Sequence, residues 1–155
     1  MSGTGPSWPV PPAMKRALEA ARHAAATGEV PVAAVVVCDG KVVACEANAT
    51  RSPPDPTGHA EVRAIREAAR VLGRDRLTDC DLYVTLEPCA MCAGALVNAR
   101  LGHLVFGAVD PKAGAVTSHF GLLDGAPLNH RVPFEVGPHA DECSELLRGF
   151  FRARR

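Results

Sequence analysis

The sequence predicts one α/β domain in which helices pack on a sheet, and three observations carry that expectation. Segments with helical and strand-like periodicity alternate along the chain, and the first two strands are joined by a two-residue turn signal. The length of 155 residues, with 47% hydrophobic and 22% charged residues, suits a single core that needs no crosslinks.

Met1 to Pro12 is rich in proline, glycine and serine and reads as a disordered leader, so the domain is expected over residues 13–155. Ala13 to Ala26 is made of strong helix formers, with Met14, Ala17, Leu18 and Ala21 at helical spacing and Gly28 placed to end the helix. Val32 to Cys38 and Lys41 to Ala47 are valine-rich runs around Asp39-Gly40, a pair suited to the left-handed conformations of a hairpin turn, and should pair antiparallel. Asn48 to Gly58 holds Pro53, Pro54 and Pro56 without periodicity and is a loop leading into the next helix.

His59 to Leu72 places Val62, Ile65, Ala69 and Leu72 on one face and is closed by Gly73. Asp81 to Leu86 is a strand, Pro88 fits the first turn of a helix over Cys89 to Ala99, and Leu104 to Ala108 is the next strand. Val109 to Arg131 reads as a long loop with one short helix around His119 to Leu123. Pro133 to Val136 is a short final strand, and Ala140 to Arg155 is a helix with Cys143, Leu146, Leu147, Phe150 and Phe151 as its apolar stripe.

Charge narrows the function classes. Lysine plus arginine total 17, as do aspartate plus glutamate, so no overall positive field draws polyanions, and any nucleic-acid contact must come from a local patch. No apolar run approaches the roughly 20 residues that cross a bilayer, and Met1 to Pro12 lacks the regions of a signal peptide, so no membrane partner is expected and the expected location is cytoplasmic. In that compartment metal is a better use than disulfides for some of the six cysteines.

Two helix starts carry the chemistry. Cys89 and Cys92 stand at i and i+3, where both sulfurs can reach one ion and the positive end of a helix favours thiolates. His59 opens the other helix. Two thiolates and one imidazole suit zinc, and three protein ligands leave a position for water, which marks a catalytic rather than a closed structural site. Glu61, two residues past His59, is placed to act on the water as a proton shuttle. Each residue alone has an ordinary explanation: His59 as a helix cap, Glu61 as a first-turn acid, the cysteines as small buried apolar residues. Together they match H-x-E…P-C-x-x-C, the pattern of zinc nucleobase deaminases, which is a resemblance rather than a derivation. Cys38, Cys45, Cys80 and Cys143 have no such partners and receive no role.

Beyond that pattern, Glu29-Val30-Pro31-Val32, Asp55 to Glu61, Thr85 to Ala95, Phe106-Gly107-Ala108 with Asp110, Asn129-His130-Arg131 and Phe150-Phe151-Arg152 resemble the bacterial tRNA-specific adenosine deaminases, a branch of the cytidine and deoxycytidylate deaminase superfamily. The resemblance runs from about Ala13 to the C-terminus. It implies a cytidine-deaminase-like three-layer α-β-α sandwich with a five-stranded mixed sheet, one zinc per chain, a homodimer, and a tRNA anticodon stem-loop as partner. The implied reaction converts the wobble adenosine to inosine, a zinc-activated hydroxide attacking C6 while Glu61 moves the protons. By position it implies further that Asn48 contacts the flipped base, that Val30 walls its pocket, and that Asp110, Lys112, Asn129 and Phe150 touch neighbouring nucleotides.

Arg148, Arg152 and Arg155 recur at helical spacing beside the aromatics, the local basic strip a neutral protein needs for phosphates. Two departures stand out: Gly58 replaces the family's more usual alanine, an expected loosening of the helix entry, and Ala49 replaces a usual basic residue. Two rivals remain open at the level of sequence. One is a deaminase of a free guanine- or cytosine-type base or nucleoside using the same zinc site, and the other is a non-catalytic zinc-stabilised RNA-binding module.

Overall fold

The computed structural model describes residues 10–124 and 128–154. Most of the expected leader, and Arg155 of the expected basic strip, lie outside the described residues. The first helix, α1, already runs from Val10 to Ala26, with Pro11 and Pro12 in a first turn where a missing N–H costs no hydrogen bond. β1 (Ala33–Cys38) and β2 (Lys41–Ala47) follow, then α2 (Ala60–Leu72), β3 (Cys80–Leu86), α3 (Ala90–Asn98), β4 (His103–Ala108), a 3₁₀ turn (Leu122–Asp124), β5 (Phe134–Val136) and α4 (Ala140–Arg152).

Local chemistry accounts for the joints. Asp39 and Gly40 adopt φ of 54° and 75°, the two left-handed residues whose twist matches a tight hairpin, and β1 pairs antiparallel with β2. Gly73 ends α2 at φ 69° and ψ 30° and donates its N–H to Ala69. The expected short helix in the long loop is a single 3₁₀ turn that starts at Leu122, later than expected, with His119 outside it.

The sheet has the order β2-β1-β3-β4-β5. β1 is antiparallel to β2 and β3, whereas β4 is parallel to β3 and β5. Alternate residues sort onto two faces. Ala34, Val36, Leu82, Val84, Leu104 and Phe106 face α2 and α3, which contribute Ala60, Ala64, Ala68, Ala93 and Leu96. Val35, Val37, Tyr83 and Val105 face the opposite side, covered by Met14, Ala17 and Leu18 of α1 and Cys143 of α4. The result is the expected three-layer sandwich. β1 is buried along its whole length, as a central strand covered on both faces must be, and each such valine contributes about 1.5–3 kcal/mol of burial.

Strand direction decides where the loops go. The end of the sheet at which β3 and β4 finish is also where antiparallel β1 begins and β2 ends. The loop after β2, the turn after β3 and the long segment after β4 therefore gather at one end. α4 packs over β4 at Gly107, where an added Cβ would lie 2.5 Å from the Cys143 sulfur and 3.1 Å from the Thr85 carbonyl oxygen. Gly107→Ala should lower stability by about 1–3 kcal/mol in urea denaturation, and Cys143→Gly in the same chain should recover part of the loss. An unchanged midpoint for the single variant would refute this close approach.

Candidate active site

Both metal-type ligands at helix starts are N-cap residues. His59 (φ −75°, ψ 149°) precedes α2 and Cys89 (φ −76°, ψ 177°) precedes α3, and neither side chain is spent on capping. Each nevertheless starts its helix through its carbonyl, which accepts from Arg63 N–H and Ala93 N–H respectively. The helix thus begins one residue later than expected, and Cys89 and Cys92 are related as N-cap and third helical residue, a spacing whose side chains meet. His59 Nδ1 lies 3.5 Å from Cys89 Sγ and 3.4 Å from Cys92 Sγ.

These distances test the site. A tetrahedral zinc with bonds of about 2.3 Å to sulfur and about 2.0 Å to nitrogen holds those ligand atoms roughly 3.5 Å apart. Both nitrogen–sulfur distances match such an ion, and all three ligand atoms lie within 4.8 Å of one another. Electrostatics agrees. The hydrogen bond with Cys92, opposed by burial and aided by His59, holds Cys89 down at about 3, whereas Cys92 is pushed up by the same bond and by burial. Two sulfurs this close cannot both carry uncompensated charge. His59 is raised, chiefly by its contact with Cys89.

Glu61 sits in the first turn of α2 and is only 4% exposed. Burial pushes its carboxyl up to about 7, against the pull of its backbone hydrogen bond and of His59. A carboxyl so tuned both accepts and gives a proton near neutrality.

Asn48, at the end of β2, accepts the Ala60 N–H at its Oδ1 (2.8 Å). The bond satisfies a free donor at the start of α2 and orients the amide so that its nitrogen remains a donor. Gly58 tightens the entry rather than loosening it. Its carbonyl accepts the Ala49 N–H at 2.8 Å, and a Cβ on Gly58 would lie 2.3 Å from the Ala49 carbonyl oxygen. Glu29, whose role the sequence pattern did not expose, staples the same loop: its carboxylate accepts Thr50 N–H (3.1 Å) and Arg51 N–H (3.0 Å).

A groove of about 900 Å³ opens at the same end of the sheet. Val30, Asp110 and Lys112 line it together with Arg148, Phe151 and Arg152 of α4. Phe150 does not belong to this surface. It is 5% exposed, whereas Phe151 is 49% exposed, because α4 turns the first ring inward and the second outward, edge to face. Arg154 covers the Phe150 ring at 3.5 Å from its centroid. Asp110 turns its Oδ1 onto the N–H groups of Lys112 and Ala113. Asn129 is apart from these residues: it accepts from Arg100 and lines a second cavity beside α3 with Gly94, Val97 and Asn98. Arg148 and Arg152 both pair with Glu145 across exposed surface, which is worth little energy and leaves the strip net positive.

Among the described residues, Cys38, Asp79 and Cys80 form the other group of ligand-type side chains. It lies at the opposite end of the sheet, where Cys38 and Cys80 are register partners. Arg74 donates to Asp79 at 2.7 Å and to Cys38 Sγ at 3.7 Å, so a guanidinium already supplies the positive charge there.

The family described as MafB19-like deaminase matches residues 11–155. A tRNA-specific adenosine deaminase of Aquifex aeolicus is 47% identical over 142 residues, which cover 92% of this chain and 93% of that one. A solved structure from a study of A-to-I editing by tRNA:A34 deaminases at the wobble position of transfer RNA superposes with a TM-score of 0.85 at 45% identity, covering 87% of this chain and 98% of its own. A guanine deaminase from Nitrosomonas europaea, 24% identical, shares the fold with a TM-score of 0.78 over 89% of this chain and 82% of that one.

Asn48→Ala should cost about 1 kcal/mol of stability in chemical denaturation, whereas Asn48→Asp, which keeps the acceptor for Ala60, should not. Equal midpoints for the two variants would contradict the capping role.

Proposed function

This chain belongs to the MafB19-like deaminase family and has tRNA-specific adenosine deaminases among its relatives, and from that premise we propose that it hydrolytically deaminates the wobble adenosine of a tRNA anticodon to inosine. The observation that carries this reading is the triad of His59, Cys89 and Cys92 at the edge lengths of a metal tetrahedron, with the buried carboxyl of Glu61 two residues from the histidine.

The donor set of two sulfurs and one imidazole suits zinc, one per chain. Zinc held there supplies a nucleophile near neutral pH by lowering the pKa of a water toward about 7. Glu61 would take the first proton from the attacking water and pass it to N1 of the purine, then take the remaining hydroxyl proton at C6 and pass it to the departing amine. Water adds at C6 and the C6–N bond breaks, so one water is consumed and one ammonia leaves. The elevated pKa of Glu61 supports both directions of transfer.

The free amide nitrogen of Asn48 suits an acceptor on the extruded base, and Val30 walls the pocket beside it. Lys112, Arg148 and Arg152 supply positive charge for phosphates along the groove, and Phe151, as an exposed ring on which a base can stack, takes the nucleotide contact that the resemblance implied for Phe150. Asp110 contributes there through whatever its engaged Oδ1 leaves free, and Asn129, beside α3, would meet nucleotides outside this groove. A homodimer belongs to the same reading. α3 is apolar over most of its outer side, with Met91 38% exposed and Asn98 the polar residue there, and such a side is best covered by a second copy. Among the described residues no helix is long and apolar enough to cross a membrane, and a tRNA substrate implies the cytoplasm as its compartment.

With zinc-loaded protein and an anticodon stem-loop, inosine should form at the wobble adenosine alone. Deamination of free adenosine, guanine or cytosine beside an untouched stem-loop would overturn the substrate. Glu61→Ala should retain zinc and lose about 10²–10⁴-fold in kcat, and an active, zinc-replete variant would remove Glu61 from the mechanism. Cys89→Ala should lose the metal, as measured by zinc content of the purified protein, and activity with it.

A further inference from the structure

The reaction as described leaves one buried carboxylate unused. Glu87 is 2% exposed and stands between the last residue of β3 and the Pro88-Cys89 turn. A buried carboxylate must be compensated, and no arginine or lysine pairs with this one among the described ion pairs. Its compensation comes from the long segment after β4. Oε1 accepts the Asp110 N–H at 2.9 Å and the Ser118 hydroxyl at 2.6 Å. Oε2 accepts three consecutive amides, Val116, Thr117 and Ser118, at 3.0, 2.8 and 3.0 Å. Successive N–H groups that converge in this way form an anion-binding nest.

The segment is wrapped around this carboxylate. A Cβ on Gly114 would lie 2.3 to 2.5 Å from the Glu87 carboxyl atoms, so glycine is the residue that lets the chain pass. Ala115 N–H donates to the Pro88 carbonyl at 2.9 Å, which ties the segment to the turn that carries Cys89. No strand or α-helix lies between Val109 and Leu122, and besides these bonds the segment is held by Ala115 and Val116, which are buried in the core. The same segment supplies Asp110, Pro111 and Lys112 to the groove. Resting on the tRNA deaminase reading above, we propose that Glu87 is a positioning residue: its carboxylate fixes the 110–118 segment against the metal turn and so sets how the groove receives the nucleotides that flank the reacting base.

Glu87→Gln tests this, since it keeps the volume and one acceptor oxygen. With that oxygen in the three-amide nest, the amide group faces the Asp110 N–H, while the Ser118 hydroxyl can reverse and accept. The contact at Asp110 is therefore the one lost. Zinc-loaded variant and wild type are compared on the anticodon stem-loop. A hydrogen bond to a charged group is worth enough that KM should rise about tenfold, with kcat within about twofold and zinc content unchanged. Ser118→Ala, which removes a single contact and should fold in any case, is expected to raise KM about threefold. A fall in kcat at constant KM, or no change in either variant, overturns the proposal.

Amide hydrogen exchange provides a readout that needs no substrate. Residues 110–118 should exchange faster in Glu87→Gln while α2 and α3 do not change, and equal protection in the two proteins overturns the anchor. If wild type leaves the stem-loop unmodified, the substrate reading fails and the exchange result still decides the role of Glu87.

Discussion

Two helix starts that approach until an imidazole nitrogen stands about 3.5 Å from each of two sulfurs form the constraint on which the active end depends. His59 and Cys89 serve that approach as N-cap residues because a cap position frees the side chain from the helix surface while its carbonyl still begins the helix. Strand order makes the approach feasible. α2 and α3 lie on the same face of the sheet, and both enter from the end at which β2 and β3 finish. Cys89 and Cys92 then stand as neighbours within one turn, and Glu61 is buried beside them because the first turn of α2 faces the core.

Three buried or half-buried carboxylates divide two tasks around this centre, and their surroundings separate them. Glu61 lacks enough donors to offset its burial and is raised to about 7, which suits proton transfer. Glu87 is equally buried, but the Ser118 hydroxyl and the amides of Thr117, Asp110 and Ser118 outweigh its burial and hold it near 2, which keeps it an acceptor. Glu29 accepts amides of the loop after β2 in the same manner. Two irregular segments thereby gain fixed geometry from carboxylates on the scaffold instead of from regular structure of their own. Loops that must read a substrate can vary in sequence while such anchors keep them in place.

α4 shows how a single residue of helical phase separates a buried ring from an exposed one. Phe150 and Phe151 are adjacent in the sequence and identical in chemistry, and both can be drawn onto an apolar stripe. A turn of about 100° per residue puts one into the core beneath Arg154 and the other into the groove beside Arg148 and Arg152.

The alternation of periodic segments, the Asp39-Gly40 turn, Gly28 and Gly73 after their helices, and the H-x-E and C-x-x-C groups at helix starts were legible in the residues, because each depends on chemistry within a few positions along the chain. Element ends were legible to within one to three residues, and the candidate ligands were marked by their spacing, their order and a family resemblance. The sequence could not reveal that Glu87 gathers amides from 23 to 31 residues away, that Gly58 closes on Ala49, that Asn129 and Asp110 lie on different surfaces, or which phenylalanine is outward. Those facts depend on which distant backbone groups the sheet brings to one end. A hydrogen bond or a buried ring is decided by what faces it in space, and tertiary structure alone supplies that partner.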